Sequence, residues 1–290
     1  MRLGYPCVNR SIQCTANSTF RLRSYSKGNL IKKVGNNLSC LERILEFNVE
    51  HGLLFFRIGS DLVPFASHPV CRFDWARHFK SRFDDIGDYV KRHNIRISMH
   101  PGQFVLINAM DRKIIRRSVK DLEYHCDVLD AMGLDDTAKV QIHVGGIYGD
   151  KGRSMKRFMD NYAGLSRNVR DRLAIENDDR SYSLKDCIEI SRRTGVPVIF
   201  DVFHHECLNN GETVREAIMK ARMTWKKKDG KPMIDYSSQE RGARKGRHAR
   251  HINLRSFKKL LEEADGLDFD IMLEIEDKEK SALKAVKVIE

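Results

Sequence analysis

Long apolar segments are absent from the 290-residue sequence. The longest apolar runs, such as residues 53–56 and 196–200, are far shorter than the roughly 20 residues that a helix needs to span a bilayer. Residues 1–6 contain no apolar core of a secretion signal. We therefore expect no membrane attachment and a cytoplasmic location.

Closely spaced cysteine pairs are also missing. The number of cysteines is odd, and no two are spaced as C-x-x-C, the spacing typical of zinc ribbons and redox motifs. This distribution disfavours a disulfide framework and predicts reduced, mostly buried thiols. The seven cysteines are Cys7, Cys14, Cys40, Cys71, Cys126, Cys187 and Cys207.

The sequence has no nucleotide-binding fingerprint, and it has fewer acidic than basic residues. Neither G-x-G-x-x-G after a strand nor G-x-x-x-x-G-K-[ST] occurs, so we expect no nucleotide cofactor. Lysine and arginine exceed aspartate and glutamate by 12, and the pI is near 9.4. This basic balance favours polyanionic partners, nucleic acid above all.

Short strand-like runs alternate with segments of helical periodicity along the chain. Leu38, Leu41 and Leu45 illustrate the helical spacing, and the alternation predicts parallel strands. Eight such units suit one closed barrel, so we predict a single (β/α)8 TIM barrel over residues 1–290. The predicted strands are residues 2–5, 53–58, 95–100, 140–144, 173–176, 196–201, 233–236 and 270–274. The predicted helix starts are Asp74 and Ser183, and the predicted stops are Gly133 and Gly195.

Candidate metal ligands recur at the C-terminal ends of the predicted strands, where barrels of this kind hold their active sites. Strands three to eight each contribute a histidine or a carboxylate, and two further histidines follow in the loops after strands six and seven. A carboxylate in an apolar strand is costly unless it is paired or bound to a metal, so the repetition indicates a metal centre. The eight candidates are His100, His143, Glu176, Asp201, His204, Asp235, His248 and Glu274.

The ligand types suggest a class of reaction. Histidines and carboxylates without thiolates suit manganese or zinc, with magnesium as a further alternative. Several ions that share carboxylates indicate phosphodiester hydrolysis, in which the ions activate a water and stabilise the attacking and leaving oxygens.

Several short motifs then carry a resemblance to a known family. They are GYPC at 4–7, PFASHP at 64–69, MHPGQ at 99–103, HVGG at 143–146, END at 176–178, DVFHH at 201–205 and SSQ at 237–239. In this order they resemble the ultraviolet damage endonucleases over nearly the whole chain. The resemblance implies an endonuclease IV-like barrel with three metal ions, manganese being the expected metal, that cuts DNA on the 5′ side of a lesion.

The resemblance also implies which candidate ligands bind each of the three metal ions. It implies one ion on His100, His143 and Glu176, a second on Glu176, Asp201, Asp235 and Glu274, and a third on His204 and His248. Glu176 would bridge two ions, and His68 would contact the scissile phosphate or donate a proton. The chain departs from the family at Asp235, where members often have histidine, and at Met233, where some have lysine.

Contacts to damaged double-stranded DNA follow from the same resemblance. Gln103 and Phe104 would fill the space left by extruded bases, and Tyr5 and Asn9 would line the lesion pocket. A basic arm follows predicted strand seven and contains no acidic residue between 241 and 250, which favours contacts with phosphates. The arm consists of Arg241, Arg244, Lys245, Arg247 and Arg250.

Three other functions remain open at this point. An apurinic endonuclease of the endonuclease IV kind would share the metals, but the Gln103–Phe104 pair favours photoproducts as well as abasic sites. A sugar isomerase on a similar barrel would not explain the basic arm. A non-catalytic nucleic-acid-binding protein would not explain eight ligands on one rim. We expect a monomer that associates with the nucleoid through DNA binding.

Overall fold

Eight parallel strands close into a barrel in the order of the sequence. In the computed structural model, which describes residues 1–289, the first strand pairs with both the second and the eighth. The predicted (β/α)8 barrel is therefore confirmed. The strands are β1 (Leu3–Pro6), β2 (Phe55–Ile58), β3 (Arg96–Met99), β4 (Lys139–His143), β5 (Leu173–Glu176), β6 (Val198–Asp201), β7 (Met233–Tyr236) and β8 (Asp270–Leu273).

Helices fill the connections between the strands and cover the outside of the barrel. The longer helices are α1 (Lys27–Glu50), α3 (Lys80–Arg92), α4 (Arg112–Ala131), α5 (Lys151–Ala163), α7 (Leu184–Thr194), α9 (Val214–Arg222), α10 (Leu254–Glu263) and α11 (Glu279–Ile289). Shorter helices are α2 (Trp75–His78), α6 (Arg167–Arg172) and α8 (Val202–Cys207), with 3-10 turns at Leu22–Ser24, Ser60–Leu62 and Lys227–Asp229. None of the helices within residues 1–289 is both long and apolar enough to cross a membrane.

The predicted helix boundaries depend on side-chain and backbone chemistry that the structure shows directly. Asp74 caps α2 by accepting a hydrogen bond from the Arg77 backbone N–H at 3.0 Å. Ser183 caps the N-terminus of α7 in a capping box with Asp186, and Gly195 caps its C-terminus in the left-handed conformation, with φ of 76°. Gly133, with φ of 60°, follows the end of α4 in the same conformation.

The barrel interior has three layers along its axis, because alternate residues of each strand point inward. At the N-terminal end, buried Arg96 contacts Asp270 at 2.9 Å and buried Lys139 contacts Asp229 at 2.6 Å. At the C-terminal end lies the polar layer that contains the predicted metal ligands. The thin apolar layer between the two consists of Phe55, Ala174, Ile199, Met233 and Met272.

The expectation that all cysteines are reduced is wrong for one pair. Cys14, in the loop after β1, forms a disulfide with Cys40 of α1, 26 residues along the chain. Spacing in the sequence did not indicate this pair, because the long β1–α1 loop folds back onto the helix. The other five cysteines are thiols, of which Cys126 and Cys187 are buried.

Candidate metal centre and active site

The four predicted histidine ligands form a row across the C-terminal end of the barrel. Their ring centroids are 5.6 Å apart between His100 and His143, 5.7 Å between His143 and His204, and 5.8 Å between His204 and His248. His100 and His143 lie at the ends of β3 and β4, and His248 lies in the loop that follows β7. His204 lies in the short helix α8 that directly follows β6, and not in a loop as predicted. The closed barrel thus brings together residues that are up to 148 positions apart in the chain.

Glu176, the last residue of β5, lies where two of these histidines meet. Its Oε1 atom is 2.8 Å from His143 Nε2 and 3.4 Å from His100 Nε2. One potential ligand atom from each of these three residues lies within 4.8 Å of the others. This is the geometry of a small metal site with two imidazoles and one carboxylate.

Backbone carbonyls orient three of the histidines for coordination. A carbonyl oxygen can only accept, so the Nδ1 atom that contacts it carries the proton and leaves the Nε2 lone pair available for a metal. The pairs are His100 with Pro101 O at 2.7 Å, His204 with Asn177 O at 2.9 Å, and His248 with Glu274 O at 3.0 Å.

Two buried side-chain atoms of the eight predicted ligands have no hydrogen-bond partner within residues 1–289. They are Nδ1 of His143 and Oδ2 of Asp201. Asp201 is fully buried, and its other oxygen accepts from the His204 backbone N–H at 2.7 Å. Oδ2 lies 3.5 Å from Nδ1 of His204 but accepts no hydrogen bond, which is costly for a buried carboxylate oxygen, so the donor set fits a cation close to Asp201.

The pKa shifts in the cluster also indicate that its positive charge does not balance its buried carboxylates. Burial raises the pKa of Asp201 to about 6. Burial lowers the pKa of His204, but the neighbouring carboxylates of Asp201 and Glu176 outweigh this effect and raise it to about 10. The carboxylates thus stabilise the protonated form of His204, and a divalent ion bound there would displace that proton.

Sequence analysis did not identify two buried residues that hold the acidic side of the cluster. Arg57 of β2 donates through Nη2 to Asp235 Oδ1 at 2.9 Å and Oδ2 at 2.8 Å, and through Nη1 to Glu274. Gln141 of β4 donates to Glu176 and Asp235 and accepts from Arg57 at 2.8 Å. The available signal was a lone arginine at an inward position of an apolar strand, Phe55–Ile58.

The two departures from the family pattern have different surroundings. Asp235 is fully buried, and its side-chain hydrogen bonds are with Arg57 and Gln141. Burial raises the pKa of Asp235 well above its usual range, and the Arg57 guanidinium opposes that rise. Met233 lies one layer below, in the apolar layer of the barrel.

Comparison with known proteins identifies the family of this chain. Residues 1–290 match the family model described as UV-endonuclease UvdE. The chain belongs to this family. The UV DNA damage endonuclease of Clostridium perfringens (strain 13 / Type A) is 38% identical over 288 residues, which cover 99% of this chain and 70% of that protein.

Solved structures separate family likeness from shared fold. The crystal structure of SacUVDE matches this chain with a TM-score of 0.96 at 48% identity, over 100% of this chain and 98% of the SacUVDE chain. Endonuclease IV from Thermus thermophilus matches with a TM-score of 0.59 at 15% identity, over 99% of this chain and 97% of that one. The second likeness shows the barrel fold alone. The resemblance found in the motifs is confirmed.

Three predicted contact residues of this UvdE family member are exposed in loops that follow β2 and β3. Phe104 is 81% exposed, and Gln103 beside it is also exposed. His68, in the loop after β2, is exposed as well, and its Nδ1 accepts a hydrogen bond from the Val70 backbone N–H at 3.1 Å. All three lie in loops at the end of the barrel that contains the cluster.

Tyr5 and Asn9, the predicted lining of the lesion pocket, are both buried in the structure. Tyr5 is fully buried, and its hydroxyl donates to Asn48 Oδ1 at 2.7 Å. Asn9 is 2% exposed and donates to the Tyr5 hydroxyl at 2.8 Å. Both side chains are therefore buried in this structure, and their direct contact with a lesion stays a prediction.

The basic arm lies at the end of the barrel that contains the cluster, after β7. A single antiparallel bridge joins Gln239 to His248 at its base. Arg247 pairs with Glu276 at 3.2 Å, whereas Arg241 and Arg244 are exposed and form no ion pair within residues 1–289. The free charges of the arm therefore lie at its tip.

Proposed function

We propose that this UvdE family member cuts one DNA strand on the 5′ side of ultraviolet photoproducts by hydrolysis of a phosphodiester at a divalent metal centre. Family membership supports a DNA-cleaving enzyme. The observation that carries the chemical part is the convergence of His100, His143 and Glu176 within 4.8 Å at the C-terminal end of the barrel.

The ligand set favours manganese, with zinc and magnesium as the alternatives. Divalent ions bound there would neutralise phosphodiester charge and make water a better nucleophile. The four histidines, Glu176 and Asp201 are the residues that would hold them. Glu176 contacts His100 and His143, so it also fixes how those two rings face each other.

His68 is suited to donate a proton to the leaving oxygen. Its Nδ1 accepts from a backbone N–H, so the neutral ring carries its proton on Nε2. The ring is exposed, which leaves this N–H available to a substrate oxygen.

The surface around the cluster supports a damaged duplex as the substrate. An apolar ring as exposed as Phe104 offers a stacking surface that could replace bases drawn out of the helix. The exposed amide of Gln103 lies beside it and could hydrogen-bond to the bases left unpaired. The unpaired arginines at the tip of the basic arm suit phosphate contacts on both sides of a lesion.

Cleavage of three labelled duplexes would test the proposal. One contains a single cyclobutane dimer, one a single abasic site, and one no damage. We expect a cut immediately 5′ of the dimer, weaker cutting at the abasic site, and none on the undamaged strand. Cutting at the abasic site alone would instead support an endonuclease IV-like specificity.

A further inference from the structure

Arg57 occupies the centre of the acidic half of the cluster. It is 2% exposed, and its two terminal nitrogens reach Asp235, Glu274 and Gln141. Asp235 lies in β7 and Glu274 directly follows the neighbouring strand β8, and the guanidinium joins the two carboxylates as a shared cation would. Both oxygens of Asp235 are within 2.9 Å of the same Arg57 nitrogen.

A divalent ion bound to Asp235 and Glu274 would have to displace this guanidinium. Displacement is unfavourable because Arg57 is inside the barrel, where an arginine separated from its carboxylates is a buried, unpaired charge. The guanidinium is planar and stays charged, so it can substitute for a metal in joining two carboxylates. The ligand set on this side therefore fits an arginine better than a metal ion.

The charge of the cluster leads to the same conclusion. Glu176, Asp201, Asp235 and Glu274 are its four carboxylates, and Arg57 neutralises one of them. Two divalent ions beside Arg57 would leave a small positive excess, which suits a phosphodiester anion. A third ion would add a large uncompensated charge to a buried site.

We propose that Arg57 takes the place of one divalent ion, so that this chain binds two ions rather than the three that family resemblance implies. This inference rests on the proposed metal centre. One ion belongs to His100, His143 and Glu176, and the other to the side of Asp201, His204 and His248. Asp235 is the counter-ion of Arg57 and not a metal ligand.

Elemental analysis of the purified, dialysed full chain would test the count. We expect two equivalents of manganese in the wild type and about three in Arg57→Met, because Asp235 and Glu274 become free to bind an ion. The matched control is Arg96→Met, which removes a buried, ion-paired arginine from the opposite end of the barrel. It should still bind two equivalents even if its thermal stability falls.

A second variant keeps the inference testable if Arg57→Met does not fold. Asp235→Asn keeps the shape of the side chain but removes its charge. We expect it to retain two equivalents of manganese, since Asp235 is not a ligand, whereas loss of one equivalent would overturn the inference. Three equivalents in the wild type, or two in a folded Arg57→Met, would also overturn it. No bound ion in any of the proteins would instead reject the metal centre itself.

Discussion

Glu176 contacts more of the cluster than any other single carboxylate, since it meets His100, His143 and Gln141. Glu176→Gln keeps the size of the side chain but removes its charge and one acceptor oxygen. We expect nicking of damaged DNA to fall at least about a hundredfold in a protein that remains folded. The measurement is the initial nicking rate beside metal content and the circular dichroism spectrum.

The control for this change is a buried carboxylate at the other end of the barrel. Asp270 accepts hydrogen bonds from Arg2 and Arg96 and does not contact the cluster residues. Asp270→Asn should lower the melting temperature while metal content stays unchanged. Near-normal nicking by a fully metal-loaded Glu176→Gln would remove Glu176 from the reaction.

Phe104 is the residue whose exposure is hardest to explain without a partner, at 81% for an aromatic ring. Stacking on a base is worth roughly 1–3 kcal/mol, so Phe104→Ala should weaken binding to photoproduct duplexes by about ten- to a hundredfold. Binding is measured by fluorescence anisotropy on damaged and undamaged duplexes of the same sequence.

Met110, 69% exposed in the same β3–α4 loop, provides a comparison for loss of exposed apolar surface. Met110→Ala should change binding little on either duplex. An equal loss on both duplexes for Phe104→Ala would mean that the ring supports general binding or loop structure.

At the scale of elements, the basic arm has exposed arginines at its tip that form no ion pair within residues 1–289. Replacing Arg244 by alanine should lower affinity for damaged and undamaged DNA alike. The slope of log K against log salt should shrink by about 0.9 if it contacts one phosphate. Arg247→Ala should have a smaller effect, because Glu276 already neutralises that guanidinium.

The control lysine lies on the opposite rim. Lys227 begins the 3-10 turn that precedes β7, at the N-terminal end of the barrel. Lys227→Ala should leave the salt slope unchanged. An unchanged slope for Arg244→Ala would mean that the arm does not contact DNA.

Repeated patterns made the elements predictable, whereas solitary features did not. All eight strands occur where apolar runs predicted them, but β2 and β6 each begin two residues later than expected. Residues 53 and 196 are buried without belonging to these strands, because apolar character reports burial and not ladder pairing. The Cys14–Cys40 bond depends on how the β1–α1 loop folds back onto α1, and the burial of Tyr5 depends on how α1 packs against β1. No local pattern encodes either of them.

The residues that converge at the candidate site could be predicted from the sequence, but the hydrogen bonds and ion pairs among them could not. Strand ends of a closed barrel converge, so the eight candidate ligands could be grouped before their distances were known. Arg57 lies on β2, which contributed no predicted metal ligand, so its partnership with Asp235 was visible only once the barrel closed.

The molecule as a whole separates stability from chemistry along the barrel axis. In the charged layer at the N-terminal end of the barrel, Arg96 forms an ion pair with Asp270 and Lys139 forms one with Asp229. The polar layer at the C-terminal end has more carboxylates than cations. The apolar layer separates these two charged layers. Ions or substrate bound in the C-terminal layer would therefore not disturb the ion pairs at the N-terminal end of the barrel.

The most direct test of this account is nicking of supercoiled plasmid by the purified protein, before and after ultraviolet irradiation. The protein is assayed as prepared, after EDTA treatment, and after addition of excess Mn²⁺. We predict efficient nicking of the irradiated plasmid only, its loss with EDTA and its recovery with Mn²⁺. Equal nicking of both plasmids, or nicking that survives removal of all divalent ions, would contradict a metal-dependent endonuclease for ultraviolet damage.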